Sequence, residues 1–373
     1  ELAQTQRLLL AKQLITETAL PMIDVARAAG FGSVRRFNHL FREHYRLTPT
    51  DLRRKAGARA DSDSLRLMLA YRPPLAWREL IGFLADRTLA GVEHVSDDGR
   101  YSRYSRTVAI GDARGWITVG RCDDAQRDGL ALDVSASLVP VLPAVIAAVR
   151  QQFDLDARPD VIDAHLSADR RLAGRVRAVP GLRVPGAFVG FELALRAIIG
   201  QQVTVKAART VASRLVAAFG EPLDPGIAPP ALPLTHHTPS PHRLARATVG
   251  QLARLGMPGA RAATIRELAR AMLDGRVFLD AGDDPDTVIA ELCALPGIGE
   301  WTATCIAMRA LRWPDAFPHG DLGVRKALDL TRPRELLDAA DAWRPWRAYA
   351  VMHLWNSLAT HPRRKPPQQR TPR

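Results

Sequence analysis

Cysteine is scarce in this chain. Three thiols, Cys122, Cys293 and Cys305, are scattered through 373 residues. They are too few for a disulfide framework, a four-cysteine zinc site or a cubane iron–sulfur cluster. No stretch reaches the roughly 18 uninterrupted apolar residues of a membrane span, so no membrane partner is expected. No charged n-region, apolar h-region and cleavage site open the chain, and a reducing cytoplasm is the expected compartment. The first residue is Glu1 rather than Met, as expected of a piece of something longer. Acidic residues are also in short supply: 39 Asp and Glu face 52 Lys and Arg, a net charge of +13. The excess sits at the ends. Residues 1–60 hold 11 basic and 5 acidic side chains, and residues 361–373 hold 5 basic and none acidic. Only +2 remains for the 300 residues between them. Basic ends point to a polyanion, with nucleic acid first. Apolar residues make up 47% of the chain, enough to build large cores and exclude global disorder.

The pattern predicts helices over most of residues 2–57. Pro21 suits a first helical turn, and Gly30 and Gly32 bracket Phe31 in a tight break. Ser33 is a good N-cap for the run that follows. Val34, Phe37, Leu40 and Phe41 recur at helical spacing there, leaving Arg35, Arg36, His39 and Arg42 on the outer face. Two short helices joined by a glycine turn make a helix-turn-helix, whose second helix enters a major groove. The phrases Asp24-Val25-Ala26, Ala29-Gly30-Phe31, Phe37-Asn38-His39-Leu40-Phe41 and Tyr45-Arg46-Leu47-Thr48-Pro49 resemble the second helix-turn-helix of AraC-type regulators of the Ada kind. The resemblance covers about 55 residues. It implies operator DNA as a partner for Arg35, Arg36, His39 and Arg42. The zinc-bound methyl-acceptor cysteines of Ada have no counterpart.

Residues 58–64 are small and polar, a linker by composition. Beyond it, Leu65–Ala70, Tyr101–Val108 and Trp116–Val119 are strand-like, the last two separated by a Gly111/Gly115 turn, and Trp77–Leu89 is helical. The expected architecture is mostly α with a small α+β domain. A helix-turn-helix at 1–57 precedes an antiparallel α+β domain at 65–138, a helical domain at 139–360 and a basic tail at 361–373. Glu221–Pro241 is a Pro- and Gly-rich loop, in which His236 and His237 are expected to be solvated rather than metal-bound.

The most specific stretch is Leu295-Pro296-Gly297-Ile298-Gly299 between two helical segments, Pro285–Cys293 and Trp301–Leu311. Its two glycines are expected in conformations closed to other residues. Free N–H groups opening the second helix suit a DNA phosphate. This is a helix–hairpin–helix, gripping backbone through Gly297, Ile298 and Gly299. The carbonyls of Cys293, Leu295 and Gly297 are candidate ligands for a sodium or potassium ion, and no other cofactor is expected. About 20 residues on, Asp321 follows Pro318-His319-Gly320 and opens a helix, Leu322–Leu328. Alone it reads as an N-cap. After a hairpin it is the signature of the helix–hairpin–helix DNA glycosylases.

Residues 66–360 resemble the AlkA-like branch of 3-methyladenine DNA glycosylase II. The matching phrases include Arg72-Pro73-Pro74, Ile81-Gly82-Phe83-Leu84, Arg196-Ala197-Ile198-Ile199-Gly200-Gln201 and His353-Leu354-Trp355. The resemblance implies two helical subdomains flanking a cleft, and a single chain acting on double-stranded DNA with alkylated bases. Asp321 would stabilise oxocarbenium character and orient water. Trp301, Trp355 and Phe83 would offer faces to a cationic base. Cys305 stands where a pocket tyrosine is typical, Asn356 replaces an aromatic, and Gln202 replaces the leucine wedge. Trp301 occupies the hairpin position of the lyase lysine, which implies a monofunctional enzyme. Two other classes compete: a transcription factor without catalysis, and a non-enzymatic hairpin scaffold. The first would have lost Asp321 or the hairpin, and the second would lack the tryptophans and the downstream Asp.

Overall fold

The computed structural model describes residues 2–56, 64–97, 102–122, 128–229, 231–330 and 332–360. Most of the expected linker and all of the basic tail lie outside the described residues. Four helices come first: α1 (Leu2–Glu17), α2 (Met22–Ala28), α3 (Val34–Tyr45) and α4 (Pro49–Ala56). Leu8, Ala11, Leu14 and Ile15 give α1 one buried stripe. Gly30, at φ 79°, makes the break after α2, where the Phe31 N–H donates to the Ala26 carbonyl. The Ser33 side chain accepts from the Arg36 N–H and starts α3. Phe31, Phe37, Phe41 and Tyr45 then stack in sequence, with neighbouring centroids 5.3, 5.5 and 4.7 Å apart.

The described residues next form a five-stranded antiparallel sheet in the order β1-β5-β4-β3-β2. Its strands are β1 (Ser64–Ala70), β2 (Glu93–Asp97), β3 (Ser102–Ile110), β4 (Ala113–Arg121) and β5 (Gly129–Ser135). Helix α5 (Trp77–Ala85) lies between β1 and β2 in sequence and stops short of the expected Leu89. The β3–β4 turn falls at Gly111, and Gly115 lies inside β4 rather than in the turn. A Cβ on Gly115 would sit 2.2 Å from the Ser135 hydroxyl, so close packing of β4 on β5 explains that glycine. Strand β1 is an edge, and α1 covers it. The Gln13 amide donates to the Met68 carbonyl at 2.7 Å, and the Met68 N–H donates to the Glu17 carboxylate at 3.2 Å. The four leading helices and the sheet share one hydrophobic cluster.

A 3-10 turn, Ala136–Val141, leads into helices α6 (Leu142–Gln152), α7 (Pro159–Leu166), α8 (Arg170–Ala178), α9 (Gly190–Ile199) and α10 (Val205–Phe219). The Pro-rich loop is less irregular than expected: Glu221–Pro222 (β6) pairs with His236–His237 (β7). His237 is buried rather than solvated, with no partner for either ring nitrogen among the described residues. Burial holds it neutral, its pKa pushed down to about 4. The chain continues through α11 (Pro241–Arg246), α12 (Val249–Ala253), α13 (Gly259–Leu273), α14 (Pro285–Cys293), α15 (Glu300–Ala310), α16 (Leu322–Leu328), α17 (Pro333–Asp341) and α18 (Arg347–Thr360). Helices α9–α15 build one apolar cluster, while α7, α8 and α16–α18 build another. No described helix is long and apolar enough to cross a membrane.

Candidate active site

The hairpin between α14 and α15 is held from behind. Gly297 has φ 88°, and a Cβ there would sit 2.2 Å from the Thr264 hydroxyl, so both conformation and space require glycine. Gly299 differs from the expectation: its φ is −95°, and a Cβ there would meet nothing within 4 Å. It is the N-cap of α15 and makes no side-chain cap bond. What it contributes is an unobstructed helix start. Ile298 sits between the two hairpin glycines. Its side chain is in the core, and its N–H donates to the Leu295 carbonyl at 3.1 Å.

Gln201 ties the hairpin to the loop after α9. Its amide donates to the Gly297 carbonyl at 3.0 Å and to the Thr302 hydroxyl at 3.1 Å, and its own carbonyl accepts from Arg261 at 2.6 Å. Gln202, next in the chain, is exposed and in the left-handed region at φ 55°. Val203 and Val205 follow it, both exposed apolar side chains that line the cleft described next.

Phe83, Trp301, Cys305, Asp321 and Trp355 line one cleft of about 430 Å³. They come from α5, α15, the start of α16 and α18. Asp321 is 9% exposed and is the N-cap of α16, so the cap reading and the cleft reading hold together. One carboxylate oxygen accepts from the Val324 N–H at 2.9 Å and from the Trp355 indole N–H at 2.9 Å. The other accepts from the Trp301 indole N–H at 3.2 Å. Sequence reasoning gave the tryptophans only ring faces; here their N–H edges also fix the carboxylate. A Cβ on Gly323 would lie 2.9 Å from that carboxylate and 3.0 Å from the Trp355 ring. Burial, then the Asp321 charge, pushes the Cys305 thiol up to about 12, so it remains protonated.

Phe83 is more crowded than a free aromatic face. The Arg87 guanidinium lies 3.7 Å from its ring centroid and that of Arg309 lies 5.1 Å away. Deeper in the cleft, buried Glu192 pairs with Arg106 at 2.7 Å and also with Arg196, which binds Glu93 as well. Burial opposes ionisation of Glu192, but Arg106 and Arg196 outweigh it and hold the carboxyl well below its usual range. These arginines escaped sequence reasoning. For Arg309 a signal existed: it follows Trp301 and Cys305 at four-residue steps, on one face of α15. Arg35, Arg36, His39 and Arg42 are exposed on α3 and are not among the cleft-lining residues. The carbonyls of Leu295 and Gly297 each accept one hydrogen bond, from the Ile298 N–H and the Gln201 amide, and each keeps a second lone pair.

The comparisons with known proteins agree with this organisation. Residues 1–55 match a helix-turn-helix domain family, residues 66–189 the AlkA N-terminal domain, and residues 195–335 the HhH-GPD superfamily base excision DNA repair proteins. The probable bifunctional transcriptional activator/DNA repair enzyme AlkA of Mycobacterium tuberculosis is 41% identical, over 99% of this chain and 73% of its own length. DNA-3-methyladenine glycosylase 2 of Escherichia coli is 35% identical, over 79% of this chain and 98% of its own. Among solved structures, a 3-methyladenine DNA-glycosylase from Archaeoglobus fulgidus shares the fold, with a TM-score of 0.63 at 18% identity, covering 77% of this chain and 96% of its own. The chain therefore belongs to the AlkA family of helix–hairpin–helix DNA glycosylases, in the form that carries a helix-turn-helix domain ahead of the glycosylase.

Proposed function

We propose that this protein excises 3-methyladenine-type bases from double-stranded DNA by hydrolysis, leaves the abasic strand intact, and reads operator DNA through α3. The observation that carries the first part is Asp321: a carboxylate fixed by three N–H donors in the wall of a cleft. The nucleotide must leave the stack to reach such a site. A ring-alkylated base is cationic and departs neutral, so the main demand is on the sugar. The Asp321 charge stabilises the developing oxocarbenium ion and orients the attacking water. Water adds to C1′ as the C1′–N bond breaks, and the bond's electron pair goes to the base.

No lysine lines the cleft among the described residues, which supports hydrolysis without a Schiff base. The hairpin at Gly297 and Gly299 binds a backbone phosphate, with Cys293, Leu295 and Gly297 carbonyls as the sodium or potassium ligands. Gln202 fills the vacated stack, and one chain suffices. On α3, Arg35, Arg36, His39 and Arg42 face the operator. Incubating the protein with methylated duplex DNA and separating the released bases tests the excision reading. Release of 3-methyladenine by the native chain and its loss in Asp321→Asn are expected. No release, or equal release by both proteins, refutes it. A borohydride-trapped covalent adduct with DNA would refute hydrolysis without lyase chemistry.

A further inference from the structure

Five arginines line the cleft; Arg209 is exposed, and the other four divide into two pairs. Arg106 and Arg196 are neutralised by Glu192 and Glu93. Arg87 and Arg309 have no ion-pair partner among the described residues. Arg309 donates through Nε to the Pro185 carbonyl at 2.6 Å and through Nη2 to the Gly186 carbonyl at 3.5 Å, both neutral acceptors. Arg87 donates to the Phe83 carbonyl at 3.0 Å. Both guanidinium groups are half-buried, and a partly desolvated cation without a counter-charge is costly unless something supplies the missing charge. Burial, then Arg87 and Arg196, press the Arg309 pKa below the usual guanidinium value. Such a charge at a cleft wall marks a place where negative charge arrives.

The location says which charge. Trp301, Cys305 and Arg309 form one stripe along α15, and Asp321 is bonded to the Trp301 end. Side chains on a helix slant toward its N-terminus, so Arg309 leans back along the stripe toward Cys305. A base whose sugar lies near Asp321 would extend along this stripe toward Arg309.

We propose that Arg309 is a specificity-determining residue whose guanidinium stabilises the negative charge of a neutral lesion base as it leaves. The proposal rests on the excision reading above. A cationic base leaves neutral and gains nothing from a nearby guanidinium. A neutral base with a carbonyl, such as a deaminated purine, leaves with the bond's electron pair as an anion. Arg309 stabilises that anion until it takes up a proton, while water's oxygen bonds to C1′ and its two protons end on the sugar hydroxyl and the freed base. Arg87 completes the bias. Its guanidinium covers Phe83, so a cationic base meets like charge where it would otherwise meet a ring.

The test is the ratio of hypoxanthine release to 7-methylguanine release from otherwise identical duplexes, in single-turnover kinetics. Arg309→Met keeps the volume and removes the charge, while Arg309→Gln also keeps a donor for the Pro185 carbonyl. In both the ratio is expected to fall roughly 100-fold, in the chemical step rather than in substrate binding. Arg309→Lys should keep the ratio within about 10-fold of native, because the charge remains. A parallel fall for both bases, or a native protein that releases 7-methylguanine but no hypoxanthine, overturns the proposal and leaves the excision reading standing. A native protein that releases neither base overturns the excision reading itself. Thermal unfolding of each variant separates a folding defect from a change in the ratio, and the Gln variant decides the question if the Met variant unfolds.

Discussion

The helix-turn-helix and the cleft use charge in opposite ways. On α3 the basic side chains are outside: Arg35, Arg36, His39 and Arg42 are all exposed, and among the described residues the one carboxylate beside them is Glu43, 4.0 Å from His39. In the cleft buried carboxylates have fixed partners, with Glu192 held between two arginines and Asp321 between two indoles. Exposed charges are screened by salt and act as a sum, so each is replaceable. Buried charges work at short range with fixed partners, so each is decisive. Substitutions in the two regions should therefore differ in size and in salt dependence.

The largest effect belongs to the buried carboxylate. Asp321→Asn is expected to slow base release by about 100-fold or more, with binding to an abasic-analogue duplex little changed, because the charge acts on the transition state. Near-native release would end the contrast at once. Gly323→Ala probes the same carboxylate without touching it. The new methyl would press on Asp321 and Trp355, and roughly 10-fold slower single-turnover release is expected from the displacement. Gln202→Ala should weaken excision from duplex DNA by about 1–3 kcal/mol and excision from single strands much less, since only the duplex has a stack to refill. Equal losses on both substrates would remove the wedge role.

Burial also sets a pH response. His353 is 2% exposed, and burial pushes its pKa down to about 4. The unfolded chain binds this proton below about pH 6.5 and the folded chain does not, so stability from this group is lost as pH falls from 6.5 toward 4. At pH 5 the loss is about 2 kcal/mol, and His353→Leu should flatten that part of a denaturant-unfolding series against pH. The smallest effects belong to α3. Arg35→Ala and Arg36→Ala should each lower the slope of log affinity against log salt by about 1, read on duplex DNA by titration. A larger effect from one arginine than from Asp321 would invert the comparison.

The same division explains what was legible in the sequence. The β3 and β4 strands announce themselves by alternation, and α3 by its Phe37 and Phe41 spacing. Strand β2, Glu93-His94-Val95-Ser96-Asp97, has one aliphatic residue and looks like a loop, because Glu93 is directed into the core toward Arg196. Strand β5 did carry a readable alternation, Leu130, Leu132 and Val134. In the site, Phe83, Trp301, Cys305, Asp321 and Trp355 could be named through the family resemblance, since each sits in or near a local phrase that carries it. The Arg106–Glu192 and Arg196–Glu93 pairs could not, because their members lie 86 and 103 residues apart and nothing local marks them as partners. That Arg309 has no ion-pair partner among the described residues is harder still to read, since it is defined by what is absent around it.

Helix α1 has a second employment as a lid on a reactive seam. With Gln13 and Glu17 in place, the Met68 amide and carbonyl are both occupied, and the outer margin of β1 offers no free rung there to a passing strand. A chain trimmed of its first 56 residues would keep the whole cleft yet bare that margin, along with the apolar surface that α1 and α2 share with the sheet. Such a fragment should be catalytically complete and colloidally poor, clumping as its concentration rises. The leading helices would then be worth keeping even on a chain that never meets an operator, as insulation for the sheet beneath them.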